Sequence, residues 1–333
     1  KTNFFVKYLN NISKLINNLL EKNLNKINFK NLSYLFKNNK IILTFVALFV
    51  IFISYLLLPT FFNHSDFSNK LKTDLQNKLD INFEFSQNIN YNIFPKPHFI
   101  INETTISENQ KEISKINKLK IFVSFSNLFS PKSIEIKNLI LEDANFNLNK
   151  LNFNFFIKLL DKNFKDGSLT IKNSNIFYRN QNEEVLFINK ILKMNYYYDI
   201  KEEKNIIHSE NELFNIPFSI KSYFNKNKSK IFSLLSSKQM KLKIENELNY
   251  NNEKIIGKSQ FIINKQKRYA QYQIEKKNFQ FKIFDKEDEP SLVYNGKFNL
   301  KPFYANLDAN LDKINLEYII GSNSIIVQLL KTE

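Results

Sequence analysis

The sequence predicts a mainly β protein with a few helices. An N-terminal amphipathic helix and one transmembrane helix come first, then a curved antiparallel β-sheet forming an open groove or incomplete barrel. Three observations carry that prediction. Ile41 to Leu58 is an apolar run with no charge in it. From about residue 82 onward, apolar residues recur with a period of two. Few segments after the run have helical spacing, so little helix is available to cover the sheet.

The N-terminal helix is read from Leu9, Ile12, Ile16, Leu19 and Leu20, then Leu24, Ile27, Leu32, Leu35 and Phe36. These fall on one side at helical spacing, with Lys and Asn on the other. Such a basic helix can lie on an anionic leaflet or pack against itself or a partner; the spacing leaves both open.

The span follows as IILTFVALFVIFISYLLL, 18 residues of which 14 are Ile, Leu, Val or Phe. At 1.5 Å per residue it covers about 27 Å, close to the ~30 Å hydrocarbon core of a bilayer. Ile41, Phe45, Phe49, Phe52 and Leu58 are its expected lipid-facing anchors. A core helix of that length normally keeps a polar face, and this one has none. A cleaved signal peptide fits poorly, because the charged lead is long and no small-residue cleavage site follows.

Residues 1–40 hold eight lysines against Glu21 alone, whereas residues 59–80 hold three lysines and three aspartates. The positive-inside bias puts the N-terminus in the cytoplasm and everything after Leu58 outside it. The expected organisation is a cytoplasmic segment over 1–39, the span over 40–62, the β domain over 63–311 and a helical segment over 312–333. The chain starts at Lys1 rather than Met and stops inside a helix-like stretch, the expectation for a piece of a longer protein.

Beyond the span, Phe67, Leu71, Leu75 and Leu79 stand four apart, with Ser65 as the expected N-cap. This helix must cover something apolar. The strands then follow. Leu119, Ile121, Val123 and Phe125 keep one phase, as do Phe146 and Leu148, Leu169 and Ile171, and Ile216, Phe218 and Ile220. Met240, Leu242, Ile244, Leu248 and Tyr250 do so as well, as do Phe279, Phe281 and Ile283. Leu292, Tyr294, Phe298 and Leu300 follow, then Phe303, Ala305, Leu307, Ala309 and Leu311. Each reads as a half-buried strand. Asp166-Gly167, Asn225 to Asn227, Asn251-Asn252 and Asp285 to Pro290 are the expected turns. Asn127 to Phe129 reads as a short turn, Leu151 to Leu160 is too evenly apolar to assign by period, and Ile314 to Leu330 reads as helical.

Composition narrows the chemistry. The formal charge is +16, from 48 basic and 32 acidic residues. The signs are interleaved along the chain, so no focused patch is expected. There is no cysteine, hence no disulfide or thiolate. The four glycines, at 167, 257, 296 and 321, form no phosphate loop or nucleophile elbow. His64, His98 and His208 are far apart and lack metal-ligand spacing. Asp285, Glu287, Asp288 and Glu289 read as a solvated turn rather than a calcium loop. No cofactor and no catalytic group is expected. Nucleic acid is not an expected partner, because the strands lie across the membrane from it.

Four stretches in order carry a resemblance: ILTFVALFVIFISYLLLPTFF, then NINYNIFPKPHFIINETTIS at 88–107, SFSNLFSPKSIEIKNLILEDANFNL at 124–148 and DGSLTIKNSNIFYRN at 166–180. A span, a helix, a strand, a Pro-x-Pro segment at Phe94, Pro95 and Pro97, and then alternating strands resemble the AsmA-like family. The likeness runs over about residues 40–200, and by strand pattern beyond. Glycines usual between the first two strands are replaced here by Asn and Gln, and family members are usually about twice as long.

The resemblance implies an anchor in the inner membrane of a Gram-negative bacterium, a periplasmic domain, and a role in outer-membrane biogenesis. It also implies an apolar β-groove like that of bridge-like lipid transfer proteins. Partners would then be phospholipid acyl chains, the inner membrane, and an outer-membrane or envelope protein. Leu119, Ile121, Val123, Phe218, Ile220, Leu242 and Ile244 are the candidate acyl-facing residues, with ordinary core packing as the alternative for each. Two other readings stay open: a non-catalytic envelope scaffold with a closed β-core, and an envelope hydrolase, for which no nucleophile–base pair is visible.

Overall fold

A computed structural model of the chain describes residues 40–309, apart from 87–88, 109–110, 226–229, 252–253, 276–277, 287–291 and 301–302. The amphipathic segment expected over 1–39 and the helical tail expected over 312–333 lie outside the described residues. The chain divides into two compact units, Lys1–Leu58 and Pro59–Glu333.

In the first unit, helix α1 (Lys40–Leu57) is the apolar run, and a 3-10 turn, Leu58–Phe61, continues it across the unit boundary. Thr44–Phe61 has a mean hydropathy of 2.2 and is long and apolar enough to cross a membrane. Ile41, Phe45, Phe49 and Phe52 are all at least half exposed. A soluble core helix would bury such residues, so the exposure favours an anchor. Leu58 falls in the 3-10 turn rather than the helix, and is half-buried.

The second unit opens with α2 (His64–Leu79), whose Phe67, Leu71, Leu75 and Leu79 are buried as the spacing requires. Its N-cap is Asn63, not Ser65: Asn63 Oδ1 accepts the Ser65 N–H at 3.0 Å. The helix starts two residues earlier because Asn63 keeps the extended backbone from which a cap oxygen can reach the first turn.

Strands β1 (Asn82–Glu84), β2 (Ile89–Asn92), β3 (His98–Glu108), β4 (Lys111–Val123) and β5 (Ile136–Leu148) begin the sheet. β6 (Ser168–Arg179), β7 (Val185–Asp199), β8 (Lys204–Leu213) and β9 (Ile216–Asn225) follow, then β10 (Lys230–Ser237), β11 (Leu242–Asn251) and β12 (Lys254–Ile263). β13 (Gln266–Glu275), β14 (Asn278–Phe284), β15 (Leu292–Leu300) and β16 (Phe303–Ala309) complete it. They form a single 16-stranded sheet in almost strictly sequential order, β1 and β2 both pairing with β3, and the two edges do not meet to close a barrel. Met240 lies in the turn before β11, and Phe125 beyond the end of β4, so each extends its predicted strand too far.

Two-residue turns explain the meander. Phe214-Asn215 and Asn264-Lys265 have positive φ at both positions, 50° and 59° in the first and 48° and 72° in the second. That is the turn whose twist matches a right-twisted hairpin. The exception is β5–β6, the only parallel pair among the described strands. A parallel pair needs a crossover, and residues 149–167 provide it. That stretch contains the unassigned LNFNFFIKLL run, here one helical turn, α3 (Phe155–Lys158), and a 3-10 turn, Leu159–Asp161. Gly167 closes the crossover: a Cβ there would sit 1.8 Å from the Lys137 carbonyl oxygen, so only glycine fits.

Candidate functional site

Cross-strand register shows which side chains share a face. Phe99 pairs with Ile121, Ile121 with Leu139, Leu139 with Leu169, Leu169 with Tyr196, Tyr196 with Ile207, and Ile207 with Ser222. Paired residues point to the same side of a sheet. One face therefore runs from β3 to β9 and, by the same reasoning, on to β16.

Up to β8 this face is covered by the chain itself. Phe67 of α2 packs on Phe99 with ring centroids 4.2 Å apart, and Lys78 donates to the Ile136 carbonyl at 3.0 Å. Burial pushes the Lys78 pKa down. The crossover covers the rest. Phe155 and Phe156 pack on Phe146, Phe164 stacks on Tyr196 at 5.7 Å, and the Tyr196 hydroxyl donates to the Phe156 carbonyl at 2.9 Å. Asn205 Nδ2 donates to the Leu160 and Lys162 carbonyls, tying the end of the crossover to β8. Leu119, Ile121 and Val123 belong to this closed part, with exposures of 0%, 0% and 4%. Core packing accounts for all three, and they offer a ligand no surface. The period of two could not reveal this, because a covered strand and an uncovered one alternate alike.

Past β8 the crossover ends, and among the described residues no further segment covers the apolar face, which continues. Phe218 and Ile220 on β9, and Leu242 and Ile244 on β11, are half-buried and share that face. Phe279, Phe281 and Phe298, read from sequence only as in-phase strand residues, stand on the same side by register, as do Phe224, Ile231, Leu235, Phe261 and Tyr272, which the sequence reading missed. Alternation could have placed each within its own strand. Only the pairing joins the strands into one surface, on the order of 35 Å across from β9 to β16 at ~4.8 Å per strand.

Two details shape that surface. Phe279, Phe281 and Phe298 stack with centroids 5.7 to 6.2 Å apart. Gly257 lies under the Tyr272 ring and Gly296 under the Phe281 ring, so both rings lie down over their partner strands. Beside these aromatics runs a row of small residues, Ser222, Ser233, Asn246, Ser259 and Ala270, paired strand to strand. Ser222 donates to Ser233 at 2.9 Å, and Asn246 Oδ1 accepts from Ser259 Oγ at 2.6 Å and from the Tyr272 hydroxyl at 2.8 Å. Burial raises the Tyr272 pKa, an effect partly offset by its bonds to Asn246 and Ser259. The polar row is tied up internally, and apolar side chains flank it on both sides.

The Pro-x-Pro segment sits between β2 and β3. Phe94 is 83% exposed and precedes a cis peptide bond to Pro95. Pro97 is buried, and its carbonyl accepts the Val123 N–H at 3.1 Å, aligning β3 with β4. His98 is 6% exposed and stacks on Phe122 at 4.9 Å. Its Nδ1–H donates to the Lys96 carbonyl at 2.8 Å. Its role here is packing. Among the described residues, no group of three or more His, Asp or Glu side chains could hold a metal.

No curated protein matches the chain. A family model does: that of the AsmA family, over residues 36–287, from just before the apolar helix to just past β14. The helix, the Pro-x-Pro segment, the crossover and the sheet as far as β14 fall within that match, and the chain belongs to the AsmA family.

Proposed function

We propose that this is a membrane-anchored, non-enzymatic envelope protein that binds or bridges phospholipid between the inner and outer membranes. In this reading α1 spans the inner membrane, the N-terminus is cytoplasmic, and the sheet stands in the periplasm, where it serves outer-membrane biogenesis. The observation that carries the reading is the apolar face that continues from β9 to β16 with no cover among the described residues. Family membership and the apolar helix support it.

The energetics are simple. Each CH₂ brought into water costs ~0.8 kcal/mol, so a 16-carbon chain costs about 12 kcal/mol. Free diffusion across an aqueous gap is slow against that barrier. Along Leu, Ile and Phe side chains the cost nearly vanishes, and the headgroup stays wet. No residue has to perform a reaction.

The covered part of the face, β3 to β8, limits the lipid path to the later strands. A scaffold with a closed core would need the same cover over β9 to β16. The test is to extract the full chain in mild detergent and identify co-purified lipid by mass spectrometry. Bound phospholipid, lost in Ile244→Glu and Phe281→Glu, supports the reading. No lipid in the parent chain, with envelope lipid composition unchanged in both variants, sinks it.

A further inference from the structure

We propose that two neighbouring loops, Phe94–Pro97 and Ser124–Ser133, bind the surface of a phospholipid bilayer, seating Phe94, Phe125 and Phe129 among the lipid headgroups. Such a contact rests on the reading of α1 as a span, but not on the sheet carrying lipid.

The loops lie side by side. The Pro97 carbonyl accepts the Val123 N–H at 3.1 Å, and the Ser124 N–H donates to the Glu135 carbonyl at 3.0 Å. Both loops leave the sheet at one end, where β3 and β5 start and β4 finishes. Their phenyl rings face water: Phe94 is 83%, Phe125 48% and Phe129 74% exposed. The second loop is pinned, not slack. Leu128, between its two phenylalanines, is completely buried. The Ser133 hydroxyl lies 2.9 Å from both the Asn127 and Ser130 carbonyls, and Ser130 caps the 3-10 turn Pro131–Ser133. The same backbone that turns Leu128 inward thus turns Phe125 and Phe129 outward.

Charge narrows the chemistry of the partner. Residues 93–97 and 124–134 contain no Asp or Glu, and their two charged residues, Lys96 and Lys132, are both exposed. Glu135, next in sequence, is paired with Lys137 at 2.7 Å. Protruding phenyl rings flanked by lysines suit the boundary between acyl chains and anionic headgroups. There the rings enter the apolar layer while the ammonium groups stay at the phosphates.

Position then favours a membrane over a protein. The apolar segment runs to Phe61. Within the second unit, Pro59, Thr60 and Phe62 line a small cavity together with Ile89, Tyr91 and Phe99. The Phe62 ring is 5.7 Å from that of Phe67, which is itself packed on Phe99. Phe99 stands two residues past Pro97. The chain therefore leaves the bilayer directly onto the strands that carry the first loop.

The chain has no tryptophan, so single tryptophans report lipid contact. Phe94→Trp, Phe129→Trp, Phe49→Trp and Phe214→Trp are made in the full chain, all at exposed positions. Each is placed in nanodiscs of phosphatidylethanolamine and phosphatidylglycerol, with and without bromine near the glycerol end of the acyl chains. Insertion by ~5–10 Å should quench Phe94→Trp and Phe129→Trp at least about twofold. Phe214→Trp, in the β8–β9 turn at the other end of the strands, should keep its emission. Reversing both charges, Lys96→Glu with Lys132→Glu, should cut the quenching of Phe129→Trp at least about twofold. Quenching of Phe49→Trp but of neither loop position overturns this proposal alone, and no quenching at Phe49→Trp overturns the span reading and this proposal with it. Equal quenching at Phe214→Trp, or quenching unchanged by the charge reversal, also overturns it.

Discussion

The Tyr196 hydroxyl donates to the Phe156 carbonyl at 2.9 Å, fastening the crossover between β5 and β6 onto β7. Tyr196 is fully buried, so this bond seals the covered part of the sheet just before the cover ends. Removing the hydroxyl leaves a carbonyl with a partner missing inside the core. Tyr196→Phe should therefore cost about 1–2 kcal/mol, measurable as a lower urea midpoint with an unchanged m value.

The same tyrosine predicts a pH effect. Burial raises its pKa well above the usual value near 10. In the folded state it keeps its proton, while the unfolded chain loses it above pH ~10. The unfolded state then binds fewer protons, so stability falls as pH rises past ~10, by up to ~1.4 kcal/mol per pH unit for this group. Tyr196→Phe should flatten that part of the alkaline slope. An identical slope in parent and variant would contradict the assignment.

Glycine replacements should separate backbone crowding from side-chain crowding. Gly167→Ala drives a methyl into the Lys137 carbonyl, which belongs to β5 and cannot swing aside. A loss of about 1–3 kcal/mol is expected, read from chemical denaturation. Gly257→Ala meets only the Tyr272 ring, which can lift off its partner strand. That variant should lose less stability, and its Tyr272–Asn246 bond should weaken.

Covered and open parts of the face should respond differently to truncation. Leu119→Ala opens a cavity in a core from which water is excluded, and should cost about 2–5 kcal/mol. Ile244→Ala removes a side chain that already meets water, and about 1–2 kcal/mol is expected. Equal losses at the two sites would mean that β11 is covered as completely as β4.

The lack of cysteine makes topology easy to test. Single cysteines at Asn38 and at Asn215, flanking the apolar helix in sequence, should report opposite sides. In intact cells whose outer membrane has been permeabilised, a membrane-impermeant maleimide should label Asn215→Cys and spare Asn38→Cys. Labelling of both or of neither would contradict a single span with a cytoplasmic N-terminus.

Much of this protein was legible in the sequence. Ile41 to Leu58 declared an apolar helix by length and lack of charge, and Phe67, Leu71, Leu75 and Leu79 declared a helix with one buried side. Strands β4, β5, β6, β9, β11, β14, β15 and β16 followed from alternation, a local property of side chains on a pleated backbone, whereas β7, β8, β10, β12 and β13 were placed only by the structure. The boundaries slipped where turn geometry took over, as at Met240 and at the Asn63 cap. The order of span, Pro-x-Pro segment and strands carried the family.

Which face is open was decided only by tertiary structure. Leu119 and Ile244 have the same chemistry and the same period in their strands, yet one is sealed and the other meets water. What separates them is the parallel pairing of β5 with β6, which throws residues 149–167 across one part of the sheet. Pairing of strands far apart in sequence leaves no local trace, because register is set by long-range packing and turn geometry together. By itself, therefore, the sequence determined the apolar helix, α2 and the polarity of the strands that alternation marked. The fold decided where its own cover stops and the free apolar surface begins.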